Sequence, residues 1–230
     1  MNIQQVNNLG SAVLHWLCFQ NLCGRDTLMS EHYLSQPIGE YLLHHHSGTL
    51  DSEVDHPNLN PTGRRGRPRQ IDFCLFSRET KRLTAAFELK WVGDGPFDKQ
   101  RVVDDLLRLE ALRNEEAQHV YRYFLVSGKT NDFTKNFQNS EANLGDGGGR
   151  INFFSEFLDF NSNNDKKVAV KSLSEPQHAD CIEFSRYYQT TCPDRFITQR
   201  VCGINMNDFS VYIWRITSVK NRKTIPVPAE

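Results

Sequence analysis

Residues 63–91, GRRGRPRQIDFCLFSRETKRLTAAFELKW, decide how this chain is read. Gln70 to Ser77 and Leu83 to Val92 are rich in β-forming residues and are joined by the polar turn Arg78-Glu79-Thr80-Lys81, which predicts a β-hairpin. Side chains on a strand alternate between faces, so Glu88 and Lys90 share one side with β-carbons about 7 Å apart, while Phe87, Leu89 and Trp91 take the other. On the first strand Asp72 interrupts the apolar series Ile71, Phe73 and Leu75. The flanking Ala85, Ala86, Phe87, Leu89, Trp91 and Val92 mark a central strand buried on both faces, where an unpaired charge is costly.

Outward from the hairpin the period becomes helical. Residues 3 to 22 carry Val6, Val13, Leu14, Trp16, Leu17 and Phe19 and end before Gly24, which predicts a buried helix. A second helix is expected over about 27 to 46, with Leu34, Ile38, Tyr41 and Leu42 on one stripe and Pro37 restarting or kinking it. The Pro-, Gly-, Asn- and Asp-rich segment 47–68 reads as a loop. After Gly93-Asp94-Gly95-Pro96 comes the clearest helix, Asp98 to about Gln118. It turns Val102, Val103, Leu106, Leu107 and Ala111 inward, with Arg101/Asp105 and Asp104/Arg108 as outward i,i+4 pairs. Val120 to Val126 reads as a strand, 130–139 as a short helix, Leu144 to Gly149 and Asn161 to Asn164 as connections, and Phe209 to Ile216 as a late strand. The fold class expected is α/β in one domain over 1–230, a mixed central sheet flanked by helices, its motif region at about 27–128 and a C-terminal extension over 129–230.

With 230 residues, 38% of them hydrophobic, the chain can build a real core. Its net charge of −1 supplies no global field for a polyanion, so affinity for nucleic acid has to come from a local patch. Arg64, Arg65, Arg67 and Arg69 form one. The six cysteines show no CxxC pair, which predicts reduced thiols in a cytoplasmic protein. With no basic leader and no apolar run approaching 18 residues, the chain is expected to be neither secreted nor membrane-spanning.

Carboxylates on adjacent strands can hold Mg²⁺, a hard cation that binds through one or two carboxylates plus phosphate oxygens, and the ion can acidify a bound water for phosphodiester hydrolysis. A lysine two residues beyond the acid can orient that water, deprotonate it if its own pKa is depressed, or stabilise the pentavalent phosphate. Asp72, fifteen residues, then Glu88-Leu89-Lys90, preceded by a glutamate-bearing helix and followed by an amphipathic helix and a strand, resembles the PD-(D/E)XK restriction-endonuclease-like superfamily over about residues 27–128. Ile71 stands where the motif has proline, a change that removes no ligand. The resemblance implies a restriction-endonuclease-like core, a nuclease dependent on Mg²⁺ or Mn²⁺, Asp72 and Glu88 as metal ligands and Lys90 as the catalytic lysine. It also implies a supporting glutamate from the first core helix. Glu31 lies on the stripe of Leu34, Ile38 and Leu42 and is preferred to Glu40, nine residues on and on the opposite side. DNA is the expected substrate, and a homodimer is a candidate assembly for cutting both strands. The alternative is a catalytically inactive module of the same fold that binds nucleic acid or a partner protein. A third reading is an inhibitor or immunity protein unrelated to nucleases.

Arg65-Gly66-Arg67-Pro68 matches the core of an AT-hook, which needs a mobile peptide in the minor groove, whereas here a core strand begins within a few residues. The Arg64–Arg69 segment is therefore read as a phosphate-contacting loop beside the site. His44-His45-His46 cannot share one helix face and suits a last-turn role. The glycine run at 147–149 lacks the Gly-Lys-Ser/Thr ending of a phosphate loop.

Overall fold

The structure, a computed structural model, describes the chain except residues 60–68, 94, 113–119, 140, 143–150, 161–167, 174, 219–222 and 228–230. Helix α1 (Ile3–Leu22) opens on a capping box: the Asn2 side chain accepts the Gln5 N–H while the Gln5 side chain accepts the Asn2 N–H. After a 3₁₀ turn (Asp26–Leu28), the Ser30 hydroxyl caps α2 (Glu31–His45) by accepting the Tyr33 N–H. Helix α2 does not restart at Pro37 but runs through it as one element. Leu34 and Ile38, buried on either side of the proline, supply packing that outweighs the lost backbone bond.

Segment 47–68, expected to be a loop, holds strand β1 (Thr49–Asp55). The hairpin strands follow as β2 (Gln70–Phe76) and β3 (Leu83–Val92). Helix α3 (Lys99–Ala111), N-capped by Asp98, leads to β4 (Tyr121–Lys129). A short α4 (Thr130–Asp132) passes into a π-helical turn (Phe133–Gln138), and β5 (Glu141–Ala142) pairs with β6 (Ile151–Asn152) as a small ribbon. The remainder, mostly unread in the sequence, forms β7 (Val168–Ser172), α5 (Glu175–Tyr188), β8 (Arg195–Met206) and β9 (Phe209–Thr217).

Among the described residues, seven strands make one mixed sheet in the order β1-β2-β3-β4-β9-β8-β7. Of its pairs, β3–β4 alone is parallel, with Glu88 beside Phe124 and Lys90 beside Val126. Parallel neighbours need a crossover, and α3 provides it. Because β9 pairs with β4, the segment after residue 128 completes the sheet that the hairpin begins.

Each face of the sheet has its own core. Phe73, Leu75, Ala85, Phe87 and Leu89 pack with the apolar residues of α1 and α2, whereas Cys74, Ala86 and Val92 pack with those of α3. On the α3 side the core extends through Phe133, Phe137, Phe154, Phe157 and Trp214. Ile71, expected on the face of Phe73 and Leu75, joins the α3 side instead. Phe87 and Leu89 are buried against α1 and α2, each contributing about 2 kcal/mol by removal from water, and Ala86 and Val92 are buried on the α3 side, so β3 is held from both sides and its polar residues have fixed positions. Among the described residues no helix is long and apolar enough to cross a membrane.

Candidate active site

Asp72 lies next to the last β2–β3 ladder pair, Phe73 with Phe87. Its Oδ2 accepts the Leu89 N–H at 2.6 Å, which fixes the carboxylate against β3, while Oδ1 has no partner among the described residues. Burial pushes the Asp72 carboxyl up to about 6, opposed by the Leu89 N–H and reinforced by the charges of Glu31 and Asp105.

Glu88 is buried at 1% exposure, and both of its oxygens are taken. Arg108 spans them, with Nε 3.1 Å from Oε1 and Nη2 3.0 Å from Oε2, a bidentate fork. Burial pushes Glu88 well above the ordinary carboxylate range, against the pull of Arg108 and with a further push from Asp105 and Asp72. With both oxygens accepting N–H bonds, the geometry is that of an ionised carboxylate paired to a guanidinium. Arg108 also donates from Nη2 to Asp105 Oδ1.

Lys90 Nζ lies 3.1 Å from Glu31 Oε2 and 2.8 Å from Asp105 Oδ2. It therefore ties the first turn of α2, from one layer, to the middle of α3, from the other. The Asp105 contact is an ion pair without hydrogen-bond alignment, so Oδ2 makes no hydrogen bond although it is buried. Burial alone would lower the Lys90 pKa, but Asp105 and Glu31 overcome it and raise it. The option of a lysine depressed enough to act as a base is thereby corrected: Lys90 is a firm cation, suited to orienting water or countering phosphate charge.

Glu31 reaches the cluster, with its side chain 44% exposed, whereas Glu40 is exposed and accepts a bond from Gln36. The single unbroken helix keeps the two glutamates on opposite sides. The cluster thus opens to solvent at Glu31 and closes at Glu88.

Two members of the cluster differ from the sequence expectation. Asp105 and Arg108, expected to form outward ion pairs, are buried at 4% and 9% exposure and face β3. The signal is present in the sequence: Val102, Asp105, Leu109 and Leu112 recur at three- and four-residue spacing, so Asp105 lies on the apolar stripe, and Arg108 follows one turn on. A third contributor, His56, carries no motif that would single it out. It is buried after β1, where its Nδ1 accepts the Asn58 N–H at 3.1 Å, which leaves Nε2 as the donor to the Arg108 carbonyl at 2.9 Å. Burial holds its pKa down at about 4, so the ring stays neutral.

Of the arginine loop, Arg64, Arg65 and Arg67 lie outside the described residues. Arg69 is exposed and donates from Nε to Tyr188 Oη at 2.9 Å, at a cavity of about 190 Å³ that Asp104 and Glu183 also line. His46 contacts the Phe76 carbonyl at 2.9 Å, which ties the end of α2 to β2.

In donor type and formal charge the cluster resembles what a hard divalent cation takes, with Arg108 spanning both Glu88 oxygens. Its donors are carboxylate oxygens, and four carboxylates (Glu31, Asp72, Glu88, Asp105) face two bases (Lys90, Arg108), a formal excess of two negative charges. Asp72 Oδ1 has no partner among the described residues, whereas Asp105 Oδ2, which makes no hydrogen bond, is ion-paired to Lys90 Nζ at 2.8 Å. No three described His, Cys, Asp or Glu side chains form a metal cage, and Mg²⁺ needs none, because it keeps several waters and binds through one or two carboxylates.

The fold and site define an α/β protein with a charged cluster on the inner strands of a mixed sheet. No family model, curated protein or solved structure matches the chain.

Proposed function

We propose that this chain is a restriction-endonuclease-like nuclease that hydrolyses phosphodiester bonds of DNA with Mg²⁺ or Mn²⁺. The carrying observation is the convergence of Asp72 from β2, Glu88 and Lys90 from β3 and Glu31 from α2 in one cluster with two surplus carboxylates. The order α2, three antiparallel strands, α3 and a fourth strand parallel to the third supports the same reading. Asp72 and Glu88 would hold the ion, which when bound supplies Lewis acidity and an acidified water. Glu31 sits at the solvent end and positions Lys90. Lys90, held as a cation, orients the attacking water and counters charge gathering on the phosphate oxygens. The Leu89 N–H keeps Asp72 from turning away.

The test is cleavage of labelled duplex DNA, single-stranded DNA and RNA by wild type and Lys90→Ala, with Mg²⁺, Mn²⁺ or EDTA. Metal-dependent cleavage that falls at least about 100-fold in the variant, with the fold retained, is the expected result. Equal cleavage by both proteins would remove Lys90 from the mechanism.

One observation favours a second reading, a non-catalytic module that binds nucleic acid or a partner protein: Arg108 already neutralises Glu88 as a bound cation would. Such a module needs no metal, so a melting temperature unmoved by millimolar Mg²⁺ or Mn²⁺ would favour it.

A further inference from the structure

We propose that Arg108 is an internal counter-cation for Glu88, which yields this carboxylate to an entering divalent cation and so sets the metal affinity of the site. The inference rests on the nuclease reading and adds a residue that the motif does not contain.

Glu88 is almost fully buried, and a carboxylate there needs a cation at all times. Arg108 meets that need through Nε and Nη2, and in doing so covers both oxygens that a metal would use. It has somewhere else to go. Nη2 is shared with Asp105 Oδ1, one turn earlier on the same helix, so the guanidinium can release Glu88 and remain paired. The movement belongs to the side chain alone, because the Arg108 carbonyl is pinned by the His56 Nε2–H at 2.9 Å. Charge also balances: the four carboxylates and two bases sum to −2, and a divalent cation brings the cluster to zero with Arg108 still inside it.

Calorimetric titration of Mn²⁺ and Mg²⁺, paired with melting temperatures in EDTA and in excess metal, tests this on wild type and Arg108→Gln. In EDTA the variant is expected to melt lower, because Glu88 is left buried without a partner. It is expected to bind Mn²⁺ at least about tenfold more tightly than wild type, because a competing positive charge is gone, and to regain its lost melting temperature when loaded. A purely structural arginine would show the loss without rescue by metal.

If wild type binds Mn²⁺ and Arg108→Gln binds it no better, the exchange is wrong while the metal site stands. If neither protein binds, the nuclease reading falls and the exchange with it. Should Arg108→Gln fail to fold, Arg108→Lys keeps the charge but cannot span both oxygens, and several-fold tighter binding is expected. Affinity equal to that of wild type in this variant would overturn the proposal.

Discussion

Asp72 shows what the site costs the fold. Its carboxyl is raised from 3.8 to about 6 by burial, so the folded state holds the proton more tightly than the unfolded chain. The penalty is small near pH 4, grows as pH rises and is complete above about 6, where it amounts to about 2–3 kcal/mol. Asp72→Asn, which can still accept the Leu89 N–H, is therefore expected to melt higher than wild type at pH 8 in EDTA, with the gap closing as pH falls through 6. Thermal melts across that range check it. His56 works in the opposite direction: with its pKa lowered from 6.5 to about 4, its stabilising contribution is full above 6.5 and is lost as pH falls toward 4. His56→Gln is expected to lose less stability than wild type between pH 7 and pH 5. Asp72, Glu88 and Lys90 stand out in the sequence because a charged residue on a strand buried from both sides is too costly to keep without a partner. Asp105 and Arg108 are hidden by their chemistry, since an Asp and an Arg on an amphipathic helix also make an ordinary solvent-side pair.

At the scale of elements, legibility follows burial. Helix α1, the hairpin strands, β4 and β9 are readable because each carries a dense apolar pattern; α3 spans Lys99–Ala111, and the expected stretch from 113 to 118 lies outside the described residues. Strand β1, TLDSEVD, reads as loop because it is a sheet edge among the described strands and turns only Leu50 and Val54 partly inward. Strand β7 has the same weakness, and β8 mixes arginine, glutamine and glycine into its run. Two substitutions test the element contacts. A β-carbon on Gly128 would clash with the Val92 carbonyl across the parallel ladder, so Gly128→Ala is expected to destabilise by at least about 2 kcal/mol in urea unfolding. Lys81 in the hairpin turn has a φ of 57°, a region that glycine occupies without penalty, so Lys81→Gly is expected to be neutral or to stabilise by up to about 1 kcal/mol.

At the scale of the molecule, the two cores and the site are one construction. The α2 layer and the α3 layer meet across β3 through Lys90, with Glu31 on one side and Asp105 on the other, so the fold brings together carboxylates that would otherwise repel. The cluster carries two carboxylates in excess of its bases, a cost that removing an acid is expected to relieve. The most direct measurement is cleavage of labelled duplex DNA in Mg²⁺ at pH 8 by wild type and Asp72→Asn, with melting curves of the same preparations in EDTA. The nuclease reading predicts that wild type cleaves and that Asp72→Asn does not, although the variant melts higher. Absence of metal-dependent cleavage by wild type, or equal cleavage by Asp72→Asn, would contradict it.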